Sequence, residues 1–206
     1  MFVNCTLGKF FELAAEQYGK DWQERKLFLV GLVMAPPSSQ EGTEIARRLG
    51  ELHAISGTDL HLFAPGHKYS GKIEEFFRVD DKNYGFNHLD YQKTRRELNL
   101  IFPEFSQFPA TSKPHMVLAF FDAEHRQLAP GLGCIIVSIG ERGISSVSIS
   151  DFIESLVGQM QKQQDYLHLH LASIEKARSF LARCVDGVLT SLPRLSPFIH
   201  LFRAFQ

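Results

Sequence analysis

The stretch Leu27-Phe28-Leu29-Val30-Gly31-Leu32-Val33-Met34, followed by Ala35-Pro36-Pro37, decides how the chain is read. Its odd and even positions are alike apolar, and a strand with two apolar faces belongs in the middle of a covered sheet. Proline has no N–H to give to a ladder, so the strand stops at Pro36. The apolar run is about half of the roughly 20 residues that a membrane-crossing helix needs. Downstream, Ser38 with Glu41 three residues on reads as a capping box. The helix it opens carries Ile45, Leu49 and Leu52 on one stripe, with Glu44, Arg47, Arg48 and Glu51 opposite, and closes at Gly57. Asp59-Leu60-His61-Leu62-Phe63-Ala64 then supplies a second strand. Strand, helix, strand is a βαβ unit, so these two strands are expected to be parallel with a right-handed crossover. Upstream, Thr6 can cap a helix with Leu7, Phe10, Phe11, Ala14 and Tyr18 on its inner face.

Beyond this unit the pattern loosens. Residues 65–90 contain Gly66, Gly71, Gly85 and the turn-like Asp80-Asp81-Lys82-Asn83, and read as an inserted surface excursion. Asp90 is positioned to cap a helix running to Phe102, stopped by Pro103. A loop from Pro109 to Pro114 leads into His115-Met116-Val117-Leu118-Ala119-Phe120-Phe121, and a Pro130-Gly131 corner into the run Cys134–Ile139. No helix fits between these two runs, so they should pair antiparallel, Cys134–Ile139 as the edge. Ser150 caps a helix with Phe152, Ile153, Leu156, Val157 and Met160 inward. From Asp165 onward come one long helix and a short Phe-rich one, split by Pro193 and Pro197. The expected organisation is an α/β domain over 1–163 and a helical extension over 164–206.

This element order, with Thr111-Ser112-Lys113-Pro114 leading directly into His115–Phe121, resembles the thioredoxin-like fold: a three-layer α/β/α sandwich on a mixed sheet of about four core strands. The resemblance implies that Pro114 occupies that fold's cis-proline position. It also implies that the helix start at Ser38 and the Pro114 loop face one groove, which in the family receives an extended peptide or a small thiol such as glutathione. The departure is equally informative. Where thioredoxin-like oxidoreductases carry their cysteines, this chain reads Pro36-Pro37-Ser38-Ser39, and a serine hydroxyl, which does not ionise near neutrality, cannot stand in for a thiolate.

Composition narrows the function further. The 206 residues carry 22 Lys+Arg against 23 Asp+Glu, a net charge of −1, so no general basic field exists to coat nucleic acid. The first residues lack a basic and apolar leader, which sets a cytoplasmic, soluble protein as the expectation. Three cysteines, Cys5, Cys134 and Cys184, lie far apart without a C-x-x-C, arguing against disulfides and a thiolate zinc site.

Candidate site residues are few. Ser38 and Ser39 can cap their helix or, together with its free N–H groups, hold a carboxylate or phosphate. Asp59, His61 and His67, expected at the carboxyl end of the second strand, could supply proton transfer. Lys113 and Pro114 would complete the groove. Among the nine histidines, His168 and His170 diverge on a helix, and no ligand set with zinc spacing emerges. No cofactor and no metal are expected. The first functional expectation is a redox-inactive module that holds a protein partner at this groove or through its apolar C-terminal helices, by which it could also form a homodimer. The alternative is an enzyme acting on a small anionic substrate bound at Ser38 and Ser39, with His61 or His67 as acid and base.

Overall fold

The computed structural model describes residues 7–18, 27–57, 60–69, 84–107, 114–122, 125–139, 148–163, 174–194 and 199–202. It is a mixed α/β structure built on a six-stranded mixed sheet. In chain order the elements are α1 (Leu7–Tyr18), β1 (Leu27–Met34), α2 (Gln40–Ser56), β2 (His61–Phe63), β3 (His67–Tyr69), β4 (Tyr84–Phe86), α3 (His88–Ile101), β5 (His115–Asp122), β6 (Gln127–Leu128), β7 (Cys134–Ser138), α4 (Ser148–Lys162), α5 (Ile174–Ser191) and β8 (Ile199–Phe202).

The doubly apolar β1 lies inside the sheet, whose order is β2-β1-β5-β7-β8, with β6 paired to β5. β1 and β2 are parallel, Val30 opposite His61 and Leu32 opposite Phe63. β5 runs antiparallel to β1 along its full length, from Leu27 opposite Asp122 to Met34 opposite His115. β7 is antiparallel to β5, and β8 to β7.

Because successive side chains point to opposite faces, each central strand feeds two cores. Leu29, Val33, Met116, Leu118, Phe120, Ile135 and Val137 pack with the inner stripes of α2, α4 and α5. Phe28, Val30, Leu32, Met34, Val117, Ala119, Phe121 and Ile136 pack with α1 and α3. Helices thus cover both faces. In the second core Phe10 stacks on Phe63 at 4.9 Å and Phe11 on Phe121 at 4.7 Å, holding α1 on the sheet.

Several boundaries differ from the sequence expectation. Residues 199–202 form strand β8, not a short helix: the alternation possible in Ile199-His200-Leu201-Phe202 suits the open edge of β7. Cys134–Ser138 is accordingly an interior strand. Asn87, not Asp90, caps α3, its side chain accepting from the N–H groups of Leu89 and Asp90. Ser150 lies inside α4, and its hydroxyl donates to Glu51 Oε1 at 3.0 Å, tying α4 to α2. The carboxyl of Glu51 is held below its ordinary range mainly by Arg48, with Ser150 adding to the effect. In the segment 65–90, β3 and β4 pair as a small antiparallel sheet, while 70–83 lies outside the described residues.

Two glycines show how differently the same substitution acts here. A Cβ on Gly42 would sit 1.9 Å from the carbonyl oxygen of Pro36, whereas one on Gly158 meets nothing within 4 Å. Gly42→Ala is expected to destabilise by about 1–3 kcal/mol, and Gly158→Ala to stabilise by about 1 kcal/mol. Urea midpoints measured side by side check both signs.

Candidate functional site

The β1–β5 register brings the exit of β1 and the entry of β5 to the same end of the sheet, since Met34 lies opposite His115. The turn Pro36–Ser39 and Pro114 therefore share one edge. Pro114 is buried, and its carbonyl accepts from the N–H of Ile139 at 2.9 Å. Lys113 and Asp59 lie outside the described residues, and with Lys113 the bond before Pro114.

At the turn, Ser39 and not Ser38 is the cap. Ser39 adopts an extended conformation (φ −118°, ψ 160°) while its Oγ accepts from the N–H of Gly42 at 3.0 Å. Gly42 occupies the position where a capping box needs Glu or Gln, so the box does not form. Thr43 Oγ1 donates to the carbonyl of Ser39 at 3.0 Å, and Pro37's carbonyl lies 3.3 Å from the same hydroxyl. The turn is thereby closed onto the first turn of α2, and Ser38 is left exposed at its tip.

The histidines separate. His61 opens the edge strand β2 opposite Val30, where it is buried, and its ring lies 6.0 Å from that of Phe28. It is not at the carboxyl end of the strand, because the strand begins two residues later than the run Asp59–Ala64 suggested. His67 does reach the edge. After β2 the chain turns at Gly66, whose φ of +81° and whose closeness to the Asn87 carbonyl (2.8 Å from a built Cβ) both demand glycine. The turn delivers His67 beneath the β1 exit, where it is buried.

Both ring nitrogens of His67 are engaged. Nε2 lies 2.9 Å from the carbonyl oxygen of Ala35, which can only accept, so Nε2 carries the proton. Nδ1 then accepts from the hydroxyl of Tyr84 at 2.7 Å. Burial drives the pKa of this imidazole down from 6.5 to about 4, opposed in part by the Ala35 carbonyl, and raises that of Tyr84 to about 12. His67 is thus a neutral strut that ties the β3–β4 sheet to the β1 exit.

Aromatic rings continue the edge. Phe86 meets the ring of His67 edge-on at 5.1 Å and that of Tyr91 at 5.6 Å. Below Pro114, the ring of Phe105 takes His115 edge-on at 5.2 Å and the guanidinium of Arg95 over its face, also at 5.2 Å. Tyr84, Phe86, Tyr91, Arg95, Phe105 and His115 were not singled out from sequence. The placement of His115 directly after Pro114 was the one available signal.

No protein family, curated protein or solved structure matches this chain. Among the described residues no group of three or more His, Cys, Asp or Glu is arranged to hold a metal ion, and no helix is long and apolar enough to cross a membrane. Cys134 and Cys184 are both buried, and burial pushes the Cys184 thiol up to about 12, so it stays protonated. Cys5 lies outside the described residues.

The His67 strut has a pH signature. Above pH 6.5 the imidazole is neutral in both folded and unfolded chains. Between 6.5 and about 4 the unfolded chain takes up a proton that the folded one refuses, so stability falls as pH falls through this window, by up to about 3 kcal/mol. Denaturant unfolding at pH 7.5, 6 and 5 should show His67→Gln less stable than the parent at pH 7.5, with the difference narrowing towards pH 5.

Proposed function

We propose that the chain is a thioredoxin-like domain without thiol chemistry, which serves as a binding module and presents the edge between the β1–α2 turn and Pro114 to a protein partner. The strand order β2-β1-β5-β7 supports this, with its single parallel pair β1–β2, α2 and α4 packed together on one face, and α3 on the other. So does the proline at the entry of β5, next to the β1 exit.

One observation carries the non-catalytic half of the reading. The position at the β1 exit that would hold a reactive group is Pro36-Pro37-Ser38-Ser39, and the titratable side chain nearest to it in the hydrogen-bond network, His67, is neutral, buried and bonded at both nitrogens. A general acid or base must be able to reach the proton it moves, and His67 can do so only by giving up one of its two partners. His61 is buried at the start of the edge strand β2, beside Phe28. The Gly42 N–H, one of the donors an anion would use, is already taken by Ser39. A small anionic substrate at this edge therefore has less support than an extended partner laid across it.

Two measurements separate the readings. A photo-crosslinking side chain at Ser38 should yield a discrete adduct with a protein, absent when the same group replaces exposed Glu154 on α4. Calorimetric titration with inorganic phosphate should give no saturable heat. Saturable phosphate binding abolished by Ser39→Ala would replace the module with the anion-binding enzyme, and disulfide reductase activity towards insulin would remove the redox-inactive assignment.

A further inference from the structure

The outer face of α3 carries Leu89, Lys93, Arg96 and Leu100, at i, i+4, i+7 and i+11. At about 100° per residue the four lie within about 60° of one another, spread along about 16 Å of helix axis. Leu89 and Leu100 are 76% and 84% exposed, and they are the large hydrophobic side chains open to solvent among the described residues. Lys93 and Arg96, between them, are exposed and form no ion pair among the described residues. The opposite face of α3, with Tyr91, Thr94, Arg95 and Leu98, is buried against the sheet, so the outer stripe has no part in holding the helix in place.

We propose that this stripe docks an acidic amphipathic helix of a partner protein. Its apolar side chains would cover Leu89 and Leu100, and its carboxylates would meet Lys93 and Arg96. The spacing is that of a helix laid against a helix, in which anchors recur at i, i+4, i+7 and i+11. The charges select the partner. In a twofold antiparallel pairing with a second copy, Lys93 of each chain would face Arg96 of the other, and a parallel pairing would stack each cation on itself; both put like charges in contact, which penalises association. An anionic lipid surface is recognised by clusters of about four to eight cations, and this face offers Lys93 and Arg96. The stripe is a different surface from the Ser38–Pro114 edge, and the inference stands or falls independently of the function proposed there.

The test uses the full chain and a fluorescent helical peptide with leucines at i, i+4, i+7 and i+11 flanked by glutamates. Saturable anisotropy is expected at low salt, weakening at high salt as exposed charges are screened. The double variant Leu89→Ala/Leu100→Ala should bind at least about tenfold more weakly. Lys93→Glu/Arg96→Glu should lose the glutamate peptide and gain the peptide in which lysines replace the glutamates, a gain that misfolding cannot produce. Ser38→Trp should leave all of this unchanged. Failure of the parent chain to bind the glutamate peptide overturns the proposal, as does equal binding by Lys93→Glu/Arg96→Glu. Two other results also overturn it: sedimentation with phosphatidylserine vesicles that requires Lys93 and Arg96, which would assign the face to a membrane, and a concentration-dependent dimer abolished by Leu89→Ala/Leu100→Ala, which would assign it to a second copy.

Discussion

The pairing of β1 with β5 is the constraint on which the rest depends. It runs without interruption from Leu27–Asp122 to Met34–His115, and both strands are buried on both faces. Side chains alternate across a strand, so this one register assigns every residue of both strands to one of two cores, and a slip by one residue would exchange them. It also fixes where the candidate site lies: Pro114 can stand beside the β1 exit only while His115 stays opposite Met34.

Much of the frame was legible because its signals are local and redundant. The doubly apolar run Leu27–Met34, the following amphipathic helix and the second strand together implied a parallel βαβ unit, and β1 and β2 are parallel. The antiparallel pairing of the segments beginning at His115 and Cys134 followed from the shortness of their connection. What escaped was set by tertiary competition. Ile199–Phe202 has a composition that suits helix or strand, and the unpaired edge of β7 decided it. Ser38 with Glu41 matched the capping-box spacing, yet Ser39 caps α2, its Oγ accepting from the N–H of Gly42 one residue further on.

The site was less legible, for a related reason. A histidine's chemistry depends on what meets its two nitrogens, and those partners come from distant segments. His67 is met by Ala35 from one side and Tyr84 from the other. Neither spacing nor periodicity marks such a triple. Its outcome turns an expected acid–base residue into a support for the edge it was expected to serve. His61, one short strand away, differs from His67 because β2 starts at His61 itself, which places that ring inside the second face of the sheet next to Phe28.

Strand β8 has a kinetic consequence. Its partner β7 precedes both α4 and α5, so the ladder from Val137–Ile199 to Cys134–Phe202 forms only after the intervening chain has closed a long loop. Until then the sheet ends on Cys134–Ser138, an apolar strand with a vacant row of amides and carbonyls. In the folded chain β8 covers that row, so the same ladder that completes the sheet also keeps β7 from pairing with a neighbouring molecule.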